Sequence, residues 1–154
     1  RAVSDRSEIA AFLRTDRRYA AYALGDLDGP NRNRVAWGMA YDEAGRPTAL
    51  VMHHEGLVPQ PLFLMGAPDG CRAVLESVLK PRDAYLQGTE LHEVALRGLY
   101  DLDAPLQMLR MVVDRATFRR PGRSPPGGVS SSSASARTTR NRAVPSASAW
   151  CSRV

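Results

Sequence analysis

VAWGMAYDEAGRPTALVMHH, residues 35–54, is the stretch that decides the fold. In its first seven residues Val35, Trp37, Met39 and Tyr41 fall on one parity, and Ala36, Gly38 and Ala40 on the other. Side chains of a strand alternate between faces, so this is a strand with one bulky face and one small one. DEAGR (42–46) supplies a Gly-containing hairpin turn, and Thr48 to His54 return as a second strand that is apolar on both faces. A small antiparallel sheet follows.

Downstream, PLFLMGA (61–67) reads as a third apolar strand running into Pro68, which suits a helix first turn because its missing N–H would lack an intrahelical partner there anyway. Cys71, Val74, Leu75, Val78 and Leu79 then fall at i, i+3, i+4, i+7 and i+8, an apolar stripe predicting a helix that stops at Lys80-Pro81. AYLQG (84–88) predicts a short strand, TELHEVALRGL (89–99) a helix, and PLQMLRMVV (105–113) a last strand. Upstream, Ser7 to Asp28 carry two short helical patterns. The first holds Ile9, Phe12 and Leu13; the second holds Tyr19, Tyr22, Ala23 and Leu27, with Asp16 as its expected cap, and ends at Gly29-Pro30. The order ααβββαβαβ describes an α/β (α+β) domain of roughly 110 residues, with a mixed, mostly antiparallel sheet and flanking helices.

Charge divides the chain at the end of that domain. All 16 acidic residues precede position 119, whereas residues 119–154 hold 7 of the 21 basic ones. The folded part is therefore close to neutral, and the net charge of +5 comes from the tail. That tail holds nine Ser and four Pro, too little apolar surface to offset the entropy of ordering it, so disorder is expected from 119 to 154. The domain is expected to span residues 1–118. The first residue is Arg1 and not methionine, from which a missing N-terminus is expected. Two cysteines without metal or disulfide spacing, and no run of about 18 apolar residues, point to a reducing cytoplasmic setting and no membrane segment.

The chemistry-bearing residues do not assemble into a recognisable catalytic set. His53 and His54 point to opposite faces of one strand and cannot chelate an ion together, so with His92 they predict no metal site. One histidine is expected at the sheet surface and the other hydrogen-bonded in the core. GDLDGPN (25–31) begins like a calcium loop at Asp26, but places Pro30 at the third ligand position and Trp37 at the closing one, so it reads as turn chemistry. Asp26 with Asp28, and Asp101 with Asp103, read as loop carboxylates. Cys71 reads as a small core residue. Gly66-Ala67-Pro68-Asp69-Gly70 has the strand-to-helix geometry that can cradle phosphate on N–H groups. Its proline removes one N–H, and Asp69 opposes an anion.

AAYALGDLD (20–28), LFLMG (62–66) and LRMVVDRATF (109–118), in this order of elements, resemble the N-terminal half of bacterial two-part GNAT (GCN5-related) N-acetyltransferases, over about residues 8–118. The resemblance implies a degenerate GNAT-like first half, followed in the family by a second half that binds acetyl-CoA and acetylates an amine. The family's acetyl-CoA loop reads Q/R-x-x-G-x-G/A at a strand-to-helix junction. Gly38-Met39-Ala40 has the G-x-A part but Val35 in the first place; Gly66 has Phe63 there. No catalytic or cofactor-binding residue is therefore assigned here, and acetyl-CoA is implied only for the complete family protein. Past residue 118 the family continues into its catalytic half, whereas this chain turns to Arg, Pro, Ser, Ala and Gly, residues with GC-rich codons. An out-of-frame translation from about residue 119 is the expected reading, with a genuine basic tail as the alternative. The partners expected are the missing catalytic half and, through the tail, a polyanion held weakly and without sequence selectivity.

Overall fold

The structure, a computed structural model, describes residues 1–30, 32–108, 118 and 149–153. Helices α1 (Arg6–Leu13) and α2 (Ala21–Asp28) precede the hairpin β1 (Val35–Tyr41) and β2 (Pro47–His54). β3 (Pro61–Gly66), α3 (Pro68–Ser77), β4 (Tyr85–Gly88), α4 (Glu90–Leu96), β5 (Leu106–Met108) and β6 (Ala149–Arg153) complete an α+β fold. The sheet runs β1-β2-β3-β4-β6-β5. β1 to β3 are antiparallel neighbours, β3 and β4 are parallel, and β6 lies antiparallel to both β4 and β5. The parallel pair is reached through α3, as a parallel connection requires a crossover.

The predicted alternation holds residue by residue. Trp37, Met39, Leu50, Met52, Phe63 and Met65 face one way and pack with Ile9, Phe12 and Leu13 of α1 and Ala23 and Leu27 of α2. Ala49, Val51, Leu62 and Leu64 face the other way, against Cys71, Val74 and Leu75 of α3 and Leu96 of α4. The central strands are apolar on both faces because each face carries a helical layer. The small face of β1 lets α3 approach: a Cβ on Gly38 would lie 2.5 Å from Val74 Cγ1.

Local chemistry sets the helix boundaries. Asp5 caps α1, its Oδ1 accepting from the N–H groups of Ser7 (2.8 Å) and Glu8 (3.3 Å). Asp16 does not cap α2 as expected. It accepts from Tyr19 N at 3.0 Å within a 3-10 turn (Arg14–Asp16) and its successor, and α2 starts after Ala20. That later start also corrects Tyr22, which is 72% exposed: with the helix counted from Ala21, Ala23 and Leu27 share the inward face at i and i+4 and Tyr22 falls outside it. α3 ends at Ser77, earlier than its stripe, yet Val78 and Leu79 still pack on the core beyond it. The edge of β1 is covered by the first residues of the chain, through Ala2 bridging Gly38 and Val3 N donating to Trp37 O at 3.0 Å.

β5 falls inside the predicted strand 105–113; residues 109–113 lie outside the described residues. So does most of 119–154, the segment expected to be disordered. The structure departs from that expectation at Ala149–Arg153, whose backbone pairs along β4 from Tyr85–Arg153 to Gly88–Trp150. Strand pairing is made by main-chain donors and acceptors, so an open edge can order a segment whose composition alone would not.

Candidate functional site

The carboxyl end of a parallel strand pair is where open α/β sheets hold ligands, and here it is the end at which β3 and β4 each run into a helix. The β3–β4 register stops at Phe63–Gln87, so Leu64, Met65 and Gly66 extend beyond the last pair. Their carbonyls are satisfied by side chains and packing from both layers. The Tyr19 hydroxyl, from the connection before α2, donates to Leu64 O at 2.7 Å. The Cys71 thiol lies 3.6 Å from Met65 O, and His92 Nε2 lies 3.2 Å from Gly66 O.

At the junction itself, Gly66 has φ +96, and a Cβ there would stand 2.3 Å from Thr48 O. Ala67 N–H is bonded to the same Thr48 carbonyl at 2.9 Å, and Pro68 has no N–H to offer. Asp69 adds a carboxylate to the first turn of α3. This arrangement anchors a strand-to-helix turn against β2, and it leaves neither the Ala67 nor the Pro68 position with an amide to offer a pyrophosphate.

His92 is the residue whose role its sequence spacing did not reveal. It sits at the third position of α4, buried to 3% exposure, where its Nδ1 accepts from Thr89 N at 3.0 Å and lies 2.9 Å from Thr89 Oγ1. An Nδ1 that accepts from an amide carries no proton, so Nε2–H is the donor to Gly66 O and the ring is neutral. T-E-L-H thus works as a capping box with histidine in the place usually held by Glu or Gln, which is the signal that could have found it. Burial is the main influence on its acidity and pushes the imidazole pKa below 6.5; the Gly66 carbonyl opposes that shift. Because the unfolded chain binds the proton more readily, this group's contribution to stability is complete above about pH 6.5 and declines as pH falls from there towards the folded pKa. Urea midpoints measured from pH 7.5 to pH 5 should fall more steeply for the parent protein than for His92→Gln, which keeps an acceptor near Thr89 N and cannot titrate. Equal slopes would remove His92 from the account.

His53 and His54 do face opposite sides, but neither is at the surface, correcting the expectation that one would be. They are 8% and 1% exposed. His53 Nε2 meets Gln60 Oε1 at 2.9 Å, and His54 Nδ1 accepts from Gly56 N at 3.1 Å. Both partners belong to the β2–β3 connection, which folds back on the end of β2 and takes up one ring on each side of the strand. Among the described residues, no group of three or more His, Cys, Asp or Glu side chains could hold a metal ion.

The carboxylate pairs separate as well. Asp26 and Asp28 lie in the last turns of α2 and not in a loop. Arg6 from α1 pairs with Asp28 and donates to Leu27 O at 2.8 Å, offsetting an acid placed at the unfavourable end of a helix. Asp101 and Asp103 are exposed in the irregular segment before β5. A further polar cluster joins α1, the end of β1 and the first residue of the chain, where Tyr41 donates to Glu8 Oε1 at 2.8 Å and accepts from Arg1 at 3.2 Å. Burial chiefly raises the Tyr41 pKa, so its hydroxyl stays a donor and is no base.

Cys71 is fully buried in α3, and desolvation pushes its thiol up to about 12, against two weak contacts to the carbonyls of Met65 and Leu50. A thiol held there is a core residue, as its place on the apolar stripe predicts. In a Cys151→Ser background, a disulfide reagent at pH 8 should leave Cys71 unmodified in the folded protein and modify it at once in denaturant. Rapid labelling without denaturant would contradict the packing described.

Among the described residues, no helix is long and apolar enough to cross a membrane. No family model matches this chain, and neither a curated protein nor a solved structure matches it.

Proposed function

We propose that this chain is the non-catalytic N-terminal part of a GNAT-type N-acetyltransferase, the complete form of which transfers an acetyl group from acetyl-CoA to an amine. The observation that carries the reading is the β3–α3 junction. It stands where a strand-to-helix loop would receive the cofactor, but Ala67 N–H is bonded to Thr48 O, Pro68 offers none, and Gly66 is closed against the backbone of β2. His92 fills the gap toward β4. Acyl transfer needs a pyrophosphate cradle, a donor for the thioester oxyanion and a route for the amine proton. The residues of this junction do not fit acetyl-CoA, and no step of the transfer is assigned to them.

The partner that the reading implies is the missing catalytic half, encoded out of frame beyond the codon of Phe118, in a protein of the reducing cytoplasm. Calorimetry of the full chain with acetyl-CoA should show no saturable binding at about 10–100 µM, the range in which a cofactor site would saturate; clear saturation would overturn the proposal. Translation of the DNA after that codon in the other two frames is the complementary measurement. One frame should yield Q/R-x-x-G-x-G/A between a strand and a helix. Early stops in both would favour a second reading, supported by the +7 charge of residues 119–154: a small module whose arginine-rich tail holds a polyanion. Binding of that kind would be weak, roughly 10⁻⁴ to 10⁻⁶ M, would fall steeply with salt and would vanish with the tail.

A further inference from the structure

The connections at the two ends of the strands differ in charge. β2 ends where β1, β3 and β4 begin, as the pairs Val35–His54, His53–Leu62 and Pro61–Tyr85 show. The connections at this end hold Arg32, Arg34, Lys80 and Arg82 against Glu55 and Asp83. Those at the other end hold Asp42, Glu43, Asp69 and Glu90 against Arg46. From the basic end projects the β2–β3 connection, residues 55–60, which is held at both feet. Glu55 N donates to Arg34 O at 2.8 Å and Tyr85 N to Gln60 O at 2.7 Å, besides the bonds to His53 and His54. Its tip, Leu57-Val58-Pro59, is three consecutive exposed apolar residues, with Val58 99% exposed. The Arg34 side chain lies against the base of this tip, since a Cβ on Gly56 would stand 2.6 Å from Arg34 Cδ. Arg32, Arg34, Lys80 and Arg82 are exposed and form no ion pair among the described residues. Single exposed apolar side chains are ordinary, but a contiguous apolar tip held in place on a basic end is not.

We propose that this end of the sheet docks peripherally on an anionic lipid bilayer, with Leu57 and Val58 entering the headgroup region and the neighbouring cations meeting the lipid phosphates and carboxylates. The charge asymmetry of the connections turns residues 55–60 towards a negative surface and the acidic 42–46 hairpin away from it. A nucleic acid would meet the cations but leave Leu57 and Val58 in water. Three residues present far less than the roughly 800 Å² per partner of a stable protein interface, whereas a fluid bilayer accepts a convex apolar tip without a shaped pocket. No helix among the described residues crosses a membrane, and the contact proposed is one of the surface. It is independent of the acetyltransferase reading, because the β3–α3 junction lies at the opposite end of β3 from this connection.

The basic segment 119–154 would itself attract anionic lipid, so the test reads the position that inserts and not attachment alone. In the full chain with Cys151→Ser, an environment-sensitive fluorophore is placed on Val58→Cys or, as the control, on Ala44→Cys in the exposed hairpin turn at the acidic end. Vesicles of phosphatidylcholine with about 30% phosphatidylserine should shift the position-58 emission to the blue and raise it about twofold or more, and leave position 44 unchanged. Vesicles of phosphatidylcholine alone should do neither. Arg32→Gln with Arg34→Gln should weaken the position-58 response about tenfold in lipid concentration, with far-UV circular dichroism unchanged. Equal responses at the two positions would assign the attachment to the tail and overturn the proposal. A silent position 58 would overturn it in favour of a protein partner for the tip, and a response indifferent to the two arginines would remove the basic end from the account.

Discussion

Gly66→Ala is expected to leave little folded protein. Two penalties coincide at this residue. Its φ of +96 lies where an L side chain is strained, a cost of about 1–3 kcal/mol. The added methyl would also stand 2.3 Å from Thr48 O and 2.9 Å from Ala49 Cα, backbone atoms of β2 that cannot move aside without breaking the β2–β3 register. Together they should exceed about 4 kcal/mol, a large share of the 5–15 kcal/mol that stabilises an ordinary domain. Gly45 separates the two effects. It has φ +74 in the hairpin turn with nothing within 4 Å of its virtual Cβ, so Gly45→Ala carries strain without collision and should cost about 1 kcal/mol. Urea unfolding of both variants checks this. Similar costs for the two would mean that the junction yields where the packing says it cannot.

The second large effect is expected at Phe63, at the centre of β3. Its ring is 2% exposed and packs against Tyr19 with centroids 5.1 Å apart and planes tilted by 37°. Phe63→Ala removes that contact and leaves a cavity between the sheet and the α1–α2 layer, which should cost about 3–5 kcal/mol. Phe63→Leu retains most of the volume and should cost under about 2 kcal/mol. Leu91→Ala, on the outer face of α4, should stay within about 0.5 kcal/mol. Equilibrium denaturation with an unchanged dependence on denaturant would read these as stability differences. A mild Phe63→Ala would show that the helical layer is not held by this contact.

The elements were legible because each declares itself within its own few residues. The alternation of Val35 to Tyr41 distinguishes a bulky face from a small one, and the stripe from Cys71 to Leu79 places α3 and its buried thiol. The boundaries were less so. Asp16 has the right chemistry for a cap, but capping depends on where the chain enters the helix, and the 3-10 turn diverts its carboxylate to Tyr19 N. His53 and His54 were correctly separated by the pleat of the strand. Their burial was not legible, because it depends on what covers each face.

By itself the sequence determined the types and order of the helices and strands from α1 to β5, the two-sided apolar character of the central strands, and the charge boundary near residue 119. These follow from periodicity and composition, which are local. Only the tertiary structure decided that Gly66 must be glycine, that His92 bonds the end of β3, and that Ala149–Arg153 lie between β4 and β5. Each of those joins residues far apart in the chain through a carbonyl or an amide that every residue carries, so side-chain identity leaves no mark of the pairing until the backbone brings the two together.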